Sequence, residues 1–598
     1  MAQFSNKHGK RMQDFFIKTF SEGLNQEKAP QFLPATALSR CNNMKYSLSK
    51  TADGAPVVQL QQRQGTEKIS STALASAVLA CTYYVKDAHY ITATATKVYE
   101  LNDSTFAQTE IGTISGRPTF SEFHDKLIVH DSGVTKAWNG TTFETLTCLY
   151  QNEVIGTGNN ATVAFNGTLS HPAVKVGSLT ITYTDTTAKT IVDDGDGTLS
   201  GDGTGTINYT TGAWAITASG APDSSTSIYA NYEMVDGAPK TKAGLVRASR
   251  LYAWGSSDYP SRLFYTAPND EDGWDTSSGG GYLDVDPLDG YSIIGCINFF
   301  SMVIVIKGNS LYRIDNFPGD SVFRVVPLMQ NIGSPAYQTC ITDGKMVSFL
   351  SAQGVMGITA SDLYGDISKT QELSRAFHTS AVLYANSNAY SEYNQHDQQL
   401  WLTLYNGNAQ ADTIYVISME TGGQLTLYNF SFGHTCYKFV NREMLIGGSD
   451  GNLYRLSTSD SNYLDNGVSY SADTNFRTAM LDWNMPLNRK HNKRIYAHCY
   501  GASGLAATLN VYTDGDFATV VNSTSLSTGG GHVLVWELQS IDVFDMTSII
   551  GIETIAETSV SISKKFNYQN IMLEMTGISG QMGVEIYGFD LNGAVIGH

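Results

Sequence analysis

The feature that most constrains this 598-residue chain is an alternation of apolar and polar residues with a period of two. It recurs in short runs separated by Gly, Asn and Asp, and almost no sustained 3.6-residue pattern competes with it. Successive side chains of a strand point to opposite faces, so such runs predict short antiparallel strands joined by tight turns. The one helix that the sequence predicts covers residues 12–20 and is closed by Gly23. We therefore expect an all-β protein.

The strands come in repeated groups. Residues 124–143 read HDKLIVHDSGVTKAWNGTTF, which is a strand, an SG turn, a second strand, an NG turn and the start of a third strand. This is the rhythm of a propeller blade. Spacings of roughly 40–50 residues between such units also match propeller periods. Several β-sandwiches in a row are the alternative. Comparable units lie at residues 247–267, 299–315, 343–359, 398–420 and 441–457.

The chain is too long for one hydrophobic core. The blade rhythm stops at residues 152–237, which are rich in Thr, Gly and Asp, poor in Lys and Arg, and read as alternating strands. Because loops accept insertions, we interpret this segment as a sandwich-like domain inserted in a propeller loop. The predicted organisation is an N-terminal segment with the first part of the propeller (1–151), the inserted domain (152–237), the remainder of the propeller (238–465) and a C-terminal β-sandwich (466–598) with an exposed Gly-rich loop at 527–532.

The charge balance argues against a protein that recognises a DNA sequence. The chain has 38 Lys and Arg against 56 Asp and Glu, a net charge of −18, and no long basic stripe. Sequence-specific duplex binding needs concentrated positive charge, whereas an acidic wall repels phosphate and suits a conduit. Two short basic clusters stand out, at residues 7–11 (KHGKR) and 489–494 (RKHNKR). Each fits a docking contact with an acidic neighbour, a contact with DNA phosphate or a solvated loop, and for the second cluster we favour a subunit contact.

The cysteines and the apolar runs indicate a protein that folds in a reducing cytoplasm and does not span a membrane. The number of cysteines is odd and no CxxC occurs, so we expect buried free thiols. The start of the chain lacks the apolar core of a signal peptide. The longest apolar run, residues 293–306, is interrupted and too short for a bilayer. The seven cysteines are Cys41, Cys81, Cys148, Cys296, Cys340, Cys436 and Cys499.

Two groups of residues partly resemble metal sites. The acidic run at residues 193–202, DDGDGTLSGD, resembles the first half of a calcium loop but lacks the distal bidentate Glu, so we favour a solvated hairpin turn. His124, His130 and Asp131 lie close together and His89 precedes a strand, yet no HxxxH or HExxH spacing occurs. Here we favour strand-end surface groups over zinc ligands. The sequence therefore predicts neither a metal site nor a cofactor.

No known catalytic motif is present either. The chain contains neither a GxSxG elbow nor a P-loop, and Ser257, Asp258 and Trp274 lack the spacing of a sialidase Asp-box. Glycoside hydrolysis needs only two carboxylates across a cleft, which leaves a glycan hydrolase as the enzyme alternative. We predict no catalytic residue and no enzyme activity.

Several stretches, taken in order, resemble one family: the tail nozzle proteins of short-tailed phages, also called tail tubular protein B, and the related packaged-DNA stabilisation proteins. The resemblance spans most of the chain apart from residues 152–237. It rests on GLNQEKAPQFLPATALSRCNNMKYSL (23–48), QRQG (62–65), SRLFYTAPNDEDGWDTSSGGGYLDV with MVIVIKGNSLYRID (261–315), NIGSPAYQTCITDGKMVSFLSAQGVMGI (331–358), and the C-terminal NRKHNKRIYAHCYG and IMLEMTGISGQMGVEIYGFDLNG.

This resemblance implies a structural subunit of the phage tail, assembled in the host cytoplasm and carried in the virion. Such subunits form a ring, usually of six copies, that continues the DNA channel below the portal and adaptor, retains the packaged genome and permits its ejection. The implied partners are other copies, the portal or adaptor, tail fibre or spike proteins, and double-stranded DNA that passes without sequence recognition. The alternatives are a tailspike-type glycan hydrolase and a receptor-binding protein. In the latter, Trp214 and Tyr232 of the insert would be exposed ligand-binding aromatics, although core positions are favoured.

Overall fold

The computed structural model describes residues 12–596 except 51–55, 103–104, 301, 316–322, 361–366, 406–412, 458–462, 501–505, 517, 528–532, 535–553, 556, 561–566 and 580–584. Strands dominate, and the prediction of an all-β fold is confirmed. The described helices are one α-helix, His378–Leu383, and three single 3₁₀ turns, Pro30–Phe32, Tyr337–Thr339 and Ser471–Asp473. In this part of the chain no helix has the length and apolar character needed to cross a membrane.

The helix predicted at residues 12–20 is wrong. Met12–Ile17 is a strand that pairs antiparallel with Glu585–Ile596, with Phe15 opposite Leu591. Ile17 is buried and Phe16 is half exposed, as alternation requires. The partner strand approaches so closely that a Cβ on Gly588 would lie 1.9 Å from the carbonyl oxygen of Ile17, and φ at Gly588 is +150°. A pairing partner more than 500 residues away therefore overrides the local helical pattern.

By its internal contacts the chain divides into two compact units, residues 79–340 and residues 1–78 with 341–598. The first unit contains four consecutive four-stranded antiparallel sheets, which are propeller blades. We number them in chain order. Blade 1 is Ala80–Tyr84, His89–Ala93, Lys97–Leu101 and Gln108–Thr113; blade 2 is Thr119–Phe123, Lys126–His130, Lys136–Trp138 and Phe143–Thr145; blade 3 is Ala243–Arg247, Arg250–Trp254, Arg262–Tyr265 and Gly281–Asp284; blade 4 is Ile293–Phe299, Met302–Lys307, Ser310–Asp315 and Arg324–Gln330.

The second unit contains three more blades. Two are built in chain order, but the outer strand of the last blade comes from the N-terminal region, since Thr66–Lys68 pairs antiparallel with Leu453–Leu456. Blade 5 is Ile341–Thr342, Met346–Ser351, Gly354–Ala360 and Ile367–Glu372; blade 6 is Tyr390–Asn394, Gln399–Thr403, Ile414–Ser418 and Gln424–Tyr428; blade 7 is His434–Val440, Glu443–Gly448, Leu453–Leu456 and Thr66–Lys68.

In the blades, side chains that alternate along a strand pack against the two neighbouring blades. In strand Arg250–Trp254 of blade 3, Leu251 and Ala253 join the core shared with blade 2, whereas Tyr252 and Trp254 join the core shared with blade 4. Both sets are buried, because a blade between two others has no solvent face. Burying one such apolar side chain contributes about 1.5–3 kcal/mol, so face-to-face stacking of blades is the main source of stability.

The insert lies between blades 2 and 3. It is a single eight-stranded antiparallel sheet that curls around its own core, to which every strand contributes a buried or partly buried side chain. Its first strand pairs with its last, with Cys148 opposite Met234, so the chain leaves and re-enters the blades at one point. Its strands are Cys148–Thr157, Ala164–Thr168, Thr180–Asp185, Thr187–Asp193, Thr198–Gly201, Gly203–Ile207, Ala213–Ala218 and Ser227–Met234.

Strands from both ends of the chain share two sheets in the second unit. Phe476 of one sheet contacts Phe589 of the other, with ring centroids 6.0 Å apart, so the sheets pack face to face. One sheet contains Met12–Ile17, Met44–Lys50, Pro56–Gln62, Arg489–Tyr500, Glu557–Val560, Asn567–Tyr568 and Glu585–Ile596. The other extends blade 6 with Gly23–Leu24, Ala37–Asn42, Asn475–Thr478, Ala506–Thr513, Asn522–Ser527 and Ile571–Ser579. Short pairs complete the described strands: Leu464–Asp465 with Val468–Ser469, and Val533–Leu534 with Thr554–Ile555.

Candidate functional site: the Arg63 clasp

The QRQG motif at residues 62–65 lies between strand Pro56–Gln62 and the strand that completes blade 7. Gln62, Arg63, Gln64 and Gly65 are all buried. A Cβ on Gly65 would lie 2.2 Å from the carbonyl oxygen of Leu464, so only glycine fits this position. The motif therefore lies where three chain segments meet: the N-terminal strands, the end of blade 6 and strand Leu464–Asp465.

Arg63 and Asp465 form a bidentate ion pair at this point. Arg63 Nη1 donates to Asp465 Oδ1 at 2.9 Å and Nη2 to Oδ2 at 2.6 Å, and both side chains are essentially inaccessible to solvent. The guanidinium also donates to Asn43 Oδ1 at 2.9 Å and to the carbonyl oxygens of Gln64 and Asn429 at 2.9 and 2.8 Å. All five donor positions of the fork are thereby used. We call this group the Arg63 clasp.

Aromatic rings enclose the clasp. The guanidinium carbon lies 3.8 Å from the ring centroid of Tyr470 and 4.7 Å from that of Phe430, both within the range of cation–π attraction. The Tyr470 hydroxyl donates to the carbonyl oxygen of Arg63. Burial by itself lowers the pKa of Arg63, but the nearby Asp465 carboxylate and Tyr470 outweigh it, and the net pKa is raised. The guanidinium therefore stays charged at any pH at which the protein is folded.

The Arg63 clasp holds distant chain segments together. Its polar side chains are buried, so they are not exposed to react with a ligand. Asp465 also accepts from Thr66 Oγ1 at 3.2 Å, so the carboxylate holds the strand that completes blade 7. A buried pair of this kind is costly to break, because removing one partner leaves a buried charge uncompensated. Sequence reasoning noticed QRQG only as a family pattern and missed Asp465, which lies 402 positions along the chain.

The unit of residues 79–340 contains a second internal cation. Lys307, at the end of the second strand of blade 4, is completely buried. Its three N–H groups are shared among four acceptors, which are Asp289 Oδ1 at 2.6 Å, the carbonyl oxygens of Val285 and Asp286 at 2.8 Å each, and Ser261 Oγ at 3.2 Å. The ammonium thus ties blade 4 to the segment that connects it with blade 3. In both units a buried cation holds a connection between sheets.

His130 is not the surface residue that the sequence predicted. It is fully buried, with Nδ1 2.9 Å from Thr241 Oγ1, and burial lowers its pKa to about 3. The neighbouring Asp131 is also buried, and it accepts from Lys136 Nζ at 2.7 Å. The reason is tertiary: Thr241 lies beyond the insert, 111 positions away, and no local pattern indicates it. Among the described residues no three His, Cys, Asp or Glu side chains are grouped so as to hold a metal ion.

The acidic run at residues 193–202 forms a hairpin turn between Thr187–Asp193 and Thr198–Gly201. Its carboxylates accept hydrogen bonds from the turn itself: Asp193 from the Gly195 amide at 3.0 Å, and Asp196 from the Thr198 amide at 2.9 Å. The hydrogen bond that Asp196 accepts from the Thr198 hydroxyl, at 2.6 Å, and then the bond from the Thr198 amide lower the pKa of Asp196. The acidic run is therefore a hairpin turn whose carboxylates bond to its own backbone, which is the interpretation that the sequence favoured over a calcium loop.

Trp214 and Tyr232 belong to the core of the insert, with 4% and 0% of their surfaces exposed. The receptor-binding alternative loses these two aromatic candidates.

The basic cluster at 489–494 lies on strand Arg489–Tyr500 and not in a loop. Its Lys490 is buried and donates to the carbonyl oxygens of Met485 and Gln569, both at 2.6 Å. The other cluster, at 7–11, and most of the predicted loop at 527–532 lie outside the described residues.

The prediction of buried thiols outside disulfides is confirmed for the six cysteines whose side chains are described: none forms a disulfide, five are buried and Cys340 is partly buried. Burial raises the pKa of Cys41 to about 11, so this thiol is unreactive at neutral pH. The side chain of Cys499 lies outside the described part.

The hydrolase alternative would need two carboxylates across a cleft. A small cleft between blades 6 and 7 has Asp397 and Glu443 among its lining residues. Asp397 lies 3.6 Å from Lys45 Nζ, and Glu443 accepts from Arg455 at 3.0 Å. Both carboxylates are thus held in ion pairs, an arrangement that serves packing better than proton transfer.

Comparison with known proteins adds little beyond this geometry. No protein-family model matches the chain, and no curated protein matches it. Solved structures that align with it include BamB from Moraxella catarrhalis (14% identity, TM-score 0.32, 64% of this chain and 96% of that one), a mitotic checkpoint complex chain (9%, 0.31, 65% and 95%) and a putative 6-phosphogluconolactonase from Bacteroides uniformis (10%, 0.25, 46% and 89%). TM-scores this low support no conclusion about function.

Proposed function

We propose that this protein is a structural, non-enzymatic subunit of a bacteriophage tail nozzle, which forms a ring around the path of the DNA. The observation that carries the proposal is the Arg63 clasp. The QRQG motif resembles the nozzle family, and its four residues are buried at the Arg63 clasp. The clasp holds Thr66–Lys68, the outer strand of blade 7 that comes from the N-terminal region. A subunit that retains packed DNA must resist mechanical load, and internally bonded blades with buried ion pairs are suited to that task.

Net charge supports the same role. The chain carries a net charge of −18. Acidic side chains on the wall of the channel would repel phosphate and let DNA slide past without being held. The subunits would meet the portal or adaptor on one side and tail fibre or spike proteins on the other. A map of the assembled ring with net positive charge on its inner wall would contradict this account of DNA passage.

The subunit number distinguishes this function from the tailspike alternative. We would determine it by native mass spectrometry of the full-length 64.9-kDa chain and by cryo-electron microscopy of virions. A closed sixfold ring below the portal, around a channel wide enough for a duplex, is the expected result, since closed cyclic symmetry is what makes a tube. A threefold appendage at the periphery of the virion would refute the nozzle assignment and favour a spike.

A further inference from the structure

The place where the insert joins the blades contains a compact group of charges. Thr147, the residue before the first strand of the insert, donates its amide to Asp272 Oδ1 at 2.8 Å. The amide of Leu149 donates to the backbone carbonyl oxygen of Asp272, also at 2.8 Å. Asp272 lies in the long loop of blade 3, between strands Arg262–Tyr265 and Gly281–Asp284. One residue of blade 3 therefore receives two hydrogen bonds from the chain that enters the insert.

The chain that leaves the insert is tied to the same point. Glu233, in the last strand of the insert, accepts from Thr147 Oγ1 at 2.9 Å and from Lys175 Nζ at 2.6 Å. On the blade side, Lys126 of blade 2 pairs with Glu271, the neighbour of Asp272. The entering chain, the leaving chain and two blades thus share one hydrogen-bonded junction.

Negative charge is in excess there. The charged groups around Asp272 are Asp270, Glu271 and Asp275 on its own loop, Lys126 and Glu144 of blade 2, and Glu233 and Lys175 of the insert. Lys126 and Lys175 are already engaged with Glu271 and Glu233. Among the described residues both lysines near Asp272 thus form their direct ion pairs with other carboxylates, and Asp272 lies half-buried beside Glu271 and Glu233.

We propose that this junction is a latch that holds the insert against blade 3 more tightly when Asp272 is protonated than when it is ionised. A neutral carboxyl still accepts the Thr147 amide through its carbonyl oxygen. An ionised carboxylate must remain partly dehydrated beside Glu271 and Glu233, and opening the junction to water relieves that cost.

The direction of the pH effect follows from the position of the proton. Burial, reinforced by the negative Glu271 and Glu233, raises the pKa of Asp272 to about 6, although the hydrogen bonds from Thr147 oppose this. When the latch is open the carboxyl has its ordinary pKa of about 3.9. The closed state is therefore fully favoured below about pH 4 and loses that advantage as the pH rises through 6. Between pH 5 and pH 8 the population of the open state should rise about tenfold.

Hydrogen exchange of the full-length protein tests the latch. The amides of Thr147 and Leu149 report its opening, and their observed rates are divided by the intrinsic rates at each pH. In the wild type we expect the protection of the peptide covering residues 147–151 to fall about tenfold from pH 5 to pH 8. In Asp272→Asn, which keeps the acceptor oxygen without the charge, protection should be high and independent of pH. Asp343→Asn, the same change at a turn of blade 5 where the carboxylate accepts the amides of Lys345 and Met346, should behave as the wild type does.

A second variant keeps the test decisive if Asp272→Asn folds poorly. Glu233→Gln removes a neighbouring negative charge and should shift the pH midpoint of opening downward. The proposal is overturned if wild-type protection is flat or increases with pH. It is equally overturned if Asp272→Asn has the circular dichroism and urea midpoint of the wild type but is unprotected at both pH values, or if Glu233→Gln leaves the midpoint unchanged or raises it.

Discussion

Removing the charge of the Arg63 clasp should destabilise the unit formed by residues 1–78 and 341–598. In Arg63→Met the aliphatic part of the side chain is retained, but Asp465 loses both of its short hydrogen bonds while it remains buried. The Asn429 carbonyl oxygen loses its bond from Nη2, and Asn43 Oδ1 keeps the Asn429 amide but loses Nε. Breaking a buried pair by removing one partner costs about 3–5 kcal/mol, and we expect a loss of that size in the free energy of unfolding.

Arg40→Met is the matched control. The Arg40 side chain is 48% exposed and donates to Glu574 at 3.1 Å, and Glu574 keeps a second partner, Arg477, at 2.8 Å. Because the Arg40 end of this pair is open to solvent and the buried Glu574 keeps Arg477, we expect a loss of at most about 1 kcal/mol. The substitution itself is the same, so the difference between the two variants reports the loss of a buried carboxylate's one cationic partner among the described salt bridges.

The assay is urea unfolding of the full-length protein, followed by hydrogen exchange of the strand pair next to the clasp, Thr66–Lys68 with Leu453–Leu456. Asp465→Leu in the Arg63→Met background removes the buried carboxylate that has lost its cation. This double variant should recover most of the lost stability. The reasoning is refuted if Arg63→Met costs no more than Arg40→Met. It is also refuted if the double variant is no more stable than Arg63→Met alone.

Three further outcomes are expected. Lys307→Met removes the cation that pairs with the Asp289 carboxylate. We expect the free energy of unfolding of the unit of residues 79–340 to fall by about 2–4 kcal/mol, measured as a lower urea midpoint. Trp214→Ala empties part of the insert core and should cost about 3–5 kcal/mol in urea unfolding, whereas Thr217→Ala, on the exposed face of the same strand, should change stability by less than about 0.5 kcal/mol. The pKa of His130 is lowered to about 3, so its contribution to stability is complete above pH 6.5 and is lost below it at about 1.4 kcal/mol per pH unit; His130→Gln should remove that slope from unfolding curves measured between pH 7 and pH 4.

Where a strand faces solvent on one side, the sequence alone predicted its structure. Strand Ala213–Ala218 reads AWAITA, and its residues alternate strictly between exposed and buried. The acidic turn at residues 193–202 was predictable for a similar reason, since Asp side chains accept hydrogen bonds from backbone amides two residues further along the chain. Both the all-β class and the blade rhythm rest on such short-range regularities.

Only the tertiary structure decided which distant segments meet. Met12–Ile17 became a strand because Glu585–Ile596 offered it a complete hydrogen-bonding edge. Arg63 and Asp465 are separated by 402 positions and His130 and Thr241 by 111, and no local pattern carries information over such distances. A periodic pattern fixes which face of a strand is apolar, but the partner of a buried charge depends on how the sheets pack. For this reason strands with one solvent-facing side could be predicted from the sequence, whereas strand Met12–Ile17, the clasp and the latch could not.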